Sequence, residues 1–210
     1  MLQPYPVLIQ AAEYEEEIKK SRFITLLQHT QGRDAAMTFI NQVRAAHPSA
    51  RHHCWGFVAD APSVSTELGF SDDGEPSGTA GKPILAALQG SGLGEVTAVV
   101  VRYSGGIKLG TGGLVRAYGG GVQEALKLAQ TREKVPQITG QLICQYGHVG
   151  LVELLLAQFG GLVTSSDFAV EVSMKISIDA RNAMAFKQSV FDKSQGQLVF
   201  NINQGTDESK

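Results

Sequence analysis

A glycine-rich segment that carries basic but no acidic residues is the part of this sequence best suited to binding an anion. Its glycines cluster where a predicted helix begins, and the first turn of a helix offers backbone N–H groups that have no acceptor within the helix. Glycines let a ligand approach those groups closely. The candidate binding residues here are Arg102, Tyr103, Lys108, Gly110, Thr111, Gly112, Gly113 and Arg116.

This segment matches neither of two standard phosphate loops. The dinucleotide fingerprint requires a third glycine where Val115 stands, and the G-x-x-x-x-G-K-[ST] motif does not occur. We therefore predict an anion-binding loop of a generic kind. The alternative is that these glycines only permit tight turns and close helix packing.

A second polar cluster lies in the turn-rich run between Ser71 and Pro83. It contains the acids Asp72, Asp73 and Glu75 together with Lys82. These groups are able to hold a cation, to pair with the basic segment, or simply to form a polar turn. We hypothesise that this run and the glycine-rich segment face each other across one cleft that binds an anionic ligand.

Adjacent histidines and a cysteine suggest a metal site, but their spacing argues against one. In the strand predicted from Arg51 to Asp60, His52 and Cys54 share one face while His53 points to the other. No partner pair with zinc-ligand spacing follows in the sequence. We expect no metal and no cofactor.

Composition points to a cytoplasmic protein with one large or two small domains. The chain has 210 residues, is 43% hydrophobic and has a formal net charge of -2. It contains neither an apolar run long enough to cross a membrane nor a signal-peptide pattern. Two widely separated cysteines, Cys54 and Cys144, favour a reducing compartment without a structural disulfide.

The N-terminal half alternates strand and helix patterns. Residues 5–28 predict a hairpin or a bent strand pair in which Lys20, Ser21 and Arg22 form a solvated bend. A helix is expected from Asp34 to His47, and another from Ala80 to Leu88 with Thr79 as its cap. The run Val99–Val101 indicates a buried strand, and an apolar stripe from Leu114 to Leu126 indicates the helix after the glycines.

The C-terminal part has a complete pattern of its own, which predicts a boundary near Thr131–Pro136. Predicted strands lie at 138–144, 162–165, 168–178 and 198–202, and predicted helices at 149–159 and 180–194. This βαββαβ order is that of the ferredoxin-like fold. We therefore expect an α+β protein with domains at 1–133 and 136–207.

Three segments together resemble the signatures of the IMPACT family. They are RHHCW from Arg51, SDDGEPSGTAGKPIL from Ser71, and VVRYSGGIKLGTGGLVRAY from Val100. The two-domain layout is similar to that of the family's bacterial branch. The resemblance implies an N-terminal domain like domain 2 of ribosomal protein S5, a fold shared with GHMP kinases. It also implies a ferredoxin-like C-terminal domain similar to the last domain of elongation factor G.

Three classes of function follow from these observations. The first is a cytosolic translation-associated regulatory protein that binds RNA or a ribosome-associated partner, because eukaryotic members of the family act in translational control. The second is an enzyme acting on a nucleotide or phosphorylated small molecule, with phosphate held by the glycine-rich segment. The third is a purely structural adaptor. No membrane partner is expected.

Overall fold

The computed structural model describes residues 3–63 and 67–203 and shows an α+β protein built of two compact units. The first unit runs from Tyr5 to Lys134, and the second contains the chain from Val135 onward. The bound predicted at residue 207 lies outside the described residues.

The N-terminal unit carries one five-stranded antiparallel sheet and a separate two-stranded ribbon. Its strands are β1 (Tyr5–Leu8), β2 (Ala12–Ile18), β3 (Ser21–His29), β4 (His52–Val58), β5 (Leu68–Ser71), β6 (Val96–Tyr103) and β7 (Thr131–Lys134). Its helices are α1 (Gly32–Ala46), α2 (Gly81–Ser91) and α3 (Thr111–Leu128). The sheet order is β2-β3-β6-β4-β5, and the ribbon pairs β1 with β7. This is the expected fold, similar to domain 2 of ribosomal protein S5.

Helices cover both faces of this sheet, which explains the apolar run in β6. Val99 and Val101 pack with Ile40 of α1 on one face, whereas Val100 packs with Tyr118 of α3 on the other. A strand buried on both faces reads as a continuous hydrophobic run rather than as an alternating one. The predicted buried strand and the helix that follows it are therefore confirmed.

Alternation along β4 is also confirmed. Cys54 lies in the core beneath α2 and α3, and Phe57 packs with Ala36 of α1 on the opposite face. The side chains of His52 and His53 therefore point to opposite faces of the sheet, and their rings bond different acceptors, as described below.

One local prediction in this unit is wrong. Ser21 is not a solvated bend residue, because it is the fully buried first residue of β3 and the turn falls at Lys19 and Lys20. The polar run after α3 contains a strand that the sequence did not predict, because Thr131–Lys134 pairs with β1. Its side chains are mostly exposed, so backbone pairing with a sequence-distant strand decides its structure.

The C-terminal unit is the expected ferredoxin-like fold. It consists of β8 (Gln137–Cys144), α4 (Val149–Phe159), β9 (Leu162–Phe168), β10 (Val172–Asp179), α5 (Ala183–Lys193) and β11 (Asn201–Ile202). The sheet order is β11-β8-β10-β9, with antiparallel pairing throughout. Both helices pack on one core that includes Leu142, Ile176 and Phe186.

The unbroken strand predicted from Phe168 to Ile178 is in fact two strands joined by a turn. Phe168 ends β9, Val172 begins β10, and the Ala169 N–H bonds the Glu171 carbonyl across the turn. Val170 is 94% exposed at the tip. The alternation of apolar and polar residues continues through this turn, so the sequence pattern does not show that the chain reverses direction there.

Both cysteines are free and buried. In the part of the chain that the structure describes, no helix has the length and apolar character that crossing a bilayer requires.

Candidate functional site

Asp72 organises the turn that leads into α2. Its Oδ1 accepts the N–H groups of Ala80 and Gly81 at 3.0 and 2.8 Å, and its Oδ2 accepts that of Gly78 at 2.8 Å. Burial by itself would raise the pKa of this carboxyl, but the backbone donors outweigh it and hold the pKa below its usual value. Asp72 is thus the cap of α2.

Thr79, predicted to cap this helix, does not do so. Its hydroxyl donates instead to the Pro76 carbonyl at 2.7 Å. The N-cap position is occupied by Ala80, whose methyl group cannot cap the helix. A carboxylate eight residues upstream replaces the local cap, because the tight turn folds Asp72 back over the helix end.

Asp73 joins this turn to β4 and α1. Its Oδ2 accepts the His53 N–H at 2.7 Å, and its Oδ1 lies 3.3 Å from Nη2 of Arg44. Its carbonyl accepts the Nδ1–H of His52 at 2.9 Å, so that ring nitrogen carries a proton. The His53 ring instead donates from Nε2 to the His47 carbonyl at 3.0 Å.

Glu75 connects the acidic turn directly to the basic segment. Its Oε1 accepts Nη1 of Arg102 at 2.6 Å and the hydroxyl of Tyr118 at 2.8 Å. The side chains of Glu75 and Arg102 are only 4% and 10% exposed. The two segments singled out from the sequence are therefore adjacent, and a buried ion pair joins them.

Cys54 also contacts this buried network of hydrogen bonds. Its Sγ lies 3.0 Å from the Asp72 carbonyl, and burial raises the pKa of its thiol to about 12. Such a thiol is not ionised near neutral pH and is a poor nucleophile. Cys54 and His52 contact the Asp72–Glu75 turn through hydrogen bonds and packing.

The remaining candidate residues surround the exposed N-terminus of α3. Gly110 adopts a φ of 77°, which turns the chain into the helix, and no side chain caps it. The first helical bond runs from Leu114 N to the Gly110 carbonyl. The N–H groups of Thr111, Gly112 and Gly113 precede that bond and have no intrahelical acceptor. No acidic side chain lies in this first turn.

Two exposed cations flank this helix end, since Lys108 lies in the loop before it and Arg116 lies one turn inside it. Lys82 is also exposed, in the first turn of α2. Within residues 3–63 and 67–203, none of these three forms an ion pair shorter than 4.0 Å. Tyr103 is separate, because its hydroxyl bonds the Nδ1 of His47 at 2.9 Å.

Glycines of this region fall into two physical classes. A Cβ on Gly105 would lie 1.9 Å from the Lys20 carbonyl oxygen, so the close packing of loop and hairpin requires glycine there. A Cβ on Gly112 or Gly120 of α3 would meet nothing within 4 Å. Packing within the N-terminal unit therefore does not require those two glycines.

We expect Gly120→Ala to stabilise the protein by about 0.5–1 kcal/mol, because alanine is the better helix former and the site has room for its methyl group. Gly105→Ala is the matched substitution and should lower the free energy of unfolding. Urea unfolding of both variants measures the difference. A Gly120→Ala variant less stable than the parent would show that this glycine has a packing role.

Sequence reasoning identifies both motif segments but misses the groups that join and support them. The sequence pattern indicates Tyr118 only as a core residue of the helix stripe, and Ser21 only as a bend residue. In the fold, Ser21 Oγ accepts the Gly105 N–H at 3.2 Å and lies 3.4 Å from Nη2 of Arg102. Nothing in the local sequence pattern signals these contacts, which join residues far apart in the chain.

Comparisons with known protein families agree with this division of the chain. The sequence profile of the Impact N-terminal domain matches residues 19–126, which include both motif segments. The profile of a domain of unknown function, DUF1949, matches residues 142–197.

Similar proteins occur in several bacteria. IMPACT family member YigZ of Escherichia coli is 55% identical over 183 residues, which are 87% of this chain and 90% of that protein. An IMPACT family member of Haemophilus influenzae is 52% identical over 198 residues, 94% and 96% of the two chains. YvyE of Bacillus subtilis, also an IMPACT family member, is 34% identical over 93% of this chain and 89% of its own.

Solved structures share the fold. A crystal structure of a hypothetical protein superposes with a TM-score of 0.73 at 48% identity and covers 100% of both chains. A crystal structure from Thermus thermophilus has a TM-score of 0.56 at 7% identity and covers 98% of this chain but 29% of its own, so it speaks for the fold alone. The family profile spans more than half of the residues and the bacterial relatives match nearly end to end, so this chain belongs to the IMPACT family.

Proposed function

We propose that this chain is a translation-related regulatory protein of the cytoplasm that binds RNA through the N-terminus of α3. Membership of the IMPACT family supports a translation-related regulatory role. The observation that carries the proposal is the uncapped, exposed start of α3 at Gly110–Gly113, flanked by Lys108 and Arg116.

Phosphate is the group that this surface fits best. The partial positive charge at a helix N-terminus and its free N–H groups favour an anion by about 0.3–1 kcal/mol when exposed. Glycines at 110, 112 and 113 leave room for a bulky phosphodiester to reach the backbone. Lysine and arginine side chains add charge without base selectivity, which suits contacts to an RNA backbone.

Enzymatic chemistry is less well supported by the same geometry. The carboxylates of Asp72, Asp73 and Glu75 each accept hydrogen bonds from the protein itself, and these bonds hold the turn in place. The three acids act instead as the scaffold that positions the turn against β6 and α3.

RNA binding is tested with labelled single-stranded RNA in a series of salt concentrations. The affinity should fall as salt rises, because phosphate contacts release counterions. Lys108→Ala and Arg116→Ala should each weaken binding and reduce the salt slope by about 1.

Lys127→Ala is the matched control. It removes the same charge from α3, but about 22 Å farther along the axis than Gly112. Equal losses in Lys108→Ala and Lys127→Ala would contradict binding at the helix N-terminus. No binding of RNA by the intact protein would leave a ribosome-associated protein as the partner to test at the same surface.

A further inference from the structure

A groove with oppositely charged ends lies beside α3, away from the motif turn. It has a volume of about 400 Å³ and runs between β2 and α3. That volume falls in the range of small-molecule sites, which is about 300–1,000 Å³. Its lining residues are Tyr14, Glu16, Ile18, Lys19, Leu109, Gly113, Arg116, Ala117, Gly120 and Glu124.

Basic and acidic side chains lie at opposite ends of this groove. Arg116, Gly120 and Glu124 recur every four residues and form one stripe of α3, with about 12 Å between the first and last Cα atoms. Lys19 lies in the turn after β2, next to Lys20, whose carbonyl packs against Gly105 in the loop before α3. The basic end is thus the end near the N-terminus of α3.

The acidic end lies farther along the helix. Oε1 of Glu16 is 3.6 Å from the position of a Cβ built on Gly121, one residue beyond Gly120. Glu124 lies one turn beyond Gly120 on the same stripe. Tyr14, two residues from Glu16 on the same face of β2, lines the groove as well.

One carboxylate of the acidic end lacks a partner, whereas that of Glu124 pairs with Lys127 at 2.6 Å. Among the described residues, no hydrogen bond or ion pair is made by Glu16, and burial together with the nearby Glu124 raises the pKa of its carboxyl.

A protonated amine would satisfy the unpaired carboxylate of Glu16. It donates up to three hydrogen bonds, and those to an ionised carboxylate are strong. At the opposite end, Lys19 and Arg116 offer two cations that have no acidic partner within 4.0 Å in the described ranges. The apolar walls, including Ile18 and Leu109, suit a hydrocarbon chain between the two ends.

We propose that this groove binds a small elongated zwitterion, with its ammonium group at Glu16 and its carboxylate or phosphate at Lys19 and Arg116. The site meets the proposed RNA surface at Gly113 and Arg116, and its acidic end lies away from that surface. Gly120 forms part of the open wall against which the chain of the ligand lies.

Calorimetric titration with ε-aminohexanoate tests the site, with hexanoate and hexylamine as analogues that each lack one charged end. The zwitterion should bind at least about ten-fold more tightly than either analogue, because each end contributes a separate charged contact. A parallel titration with ε-aminohexyl phosphate shows which anion the basic end prefers. Comparable affinity for all the compounds, or no binding of either zwitterion at millimolar concentration, would overturn the proposal.

Two variants of adjacent glutamates locate the ammonium end. Glu16→Gln should weaken binding of ε-aminohexanoate about ten-fold or more, while Glu17→Gln, the same change on the exposed face of β2, should leave it unchanged. Glu16→Gln should also leave RNA binding unaltered, which separates this site from the proposed function. Equal affinities of the two variants for ε-aminohexanoate would place the ligand elsewhere.

Discussion

Replacing Glu75 with alanine is expected to lower the free energy of unfolding by about 3–5 kcal/mol, because it leaves the guanidinium of Arg102 buried without its counter-charge. The two groups lie 2.6 Å apart, and Arg102 as a residue is only 8% exposed. The substitution also removes the acceptor of the Tyr118 hydroxyl. Urea unfolding followed by circular dichroism measures the loss.

An exposed pair of the same kind provides the control. Glu15 and Arg22 lie 2.6 Å apart, but their side chains are 45% and 53% exposed. Glu15→Ala should therefore change stability little, since water screens the charges and replaces the lost contacts. Similar losses in the two variants would show that burial does not determine the strength of the Glu75–Arg102 pair.

The ion pair itself is tested by a double-mutant cycle. Arg102→Met alone should also destabilise the protein, because it leaves the Glu75 carboxylate buried. The double variant Glu75→Gln with Arg102→Met should lose less than the sum of its two single changes. Additive losses would mean that the two side chains act independently.

Asp72→Asn is expected to destabilise the protein by about 1.5–3 kcal/mol at neutral pH, because a charged acceptor of three backbone N–H groups becomes a neutral amide with one acceptor oxygen. All three donors belong to the turn that carries the motif and begins α2. The variant should therefore loosen the 72–81 turn, which hydrogen exchange of Gly78, Ala80 and Gly81 will detect.

The effect of Asp72 on stability should depend on pH in a defined direction. The pKa of its carboxyl is lowered in the folded protein. Its stabilisation is therefore complete above the pKa of an unfolded aspartate, about 3.9, and is lost as the pH falls through the lower folded pKa. The stability gap between the parent and Asp72→Asn should be constant from about pH 6 to about pH 5 and shrink below about pH 4.

An Asp34→Asn variant serves as the comparison for this titration. Asp34 lies exposed in the first turn of α1, where an anion interacts weakly with the helix end. Its substitution should have a smaller effect at neutral pH. A gap for Asp72→Asn that stays unchanged down to acid unfolding would contradict the role of its ionised carboxylate.

Elements with a strong apolar period were predictable from the sequence alone. β6 and the buried stripe of α3 follow from Val99–Val101 and from Leu114, Tyr118 and Val122, because burial on defined faces leaves a periodic trace in the chain. The βαββαβ order of the second unit follows for the same reason. Family resemblance supplied the fold of the first unit, which periodicity does not specify.

Elements held by backbone pairing were not predictable in this way. β7 has a polar sequence, and only its register with β1, from Tyr5 opposite Lys134 to Leu8 opposite Thr131, makes it a strand. The division between β9 and β10 was hidden because the turn at 169–171 continues the alternation. Main-chain hydrogen bonds can form with almost any side chain, so the residue types do not reveal which strands pair.

The sequence by itself determined which residue types are available for binding: two dense motif segments, three acids in one and three cations with a glycine cluster in the other. Only the tertiary structure decided which of these are free. It pairs Arg102 with Glu75 and surrounds Asp72 with backbone donors, while Lys108 and Arg116 stay exposed at the start of α3. It also brings Glu16 of β2 and Glu124 of α3 to one groove. The physical reason is that a charged side chain is neutralised only by groups within a few ångströms of it. Those groups come from distant parts of the chain, so the fold determines which charges are paired and which can bind a ligand.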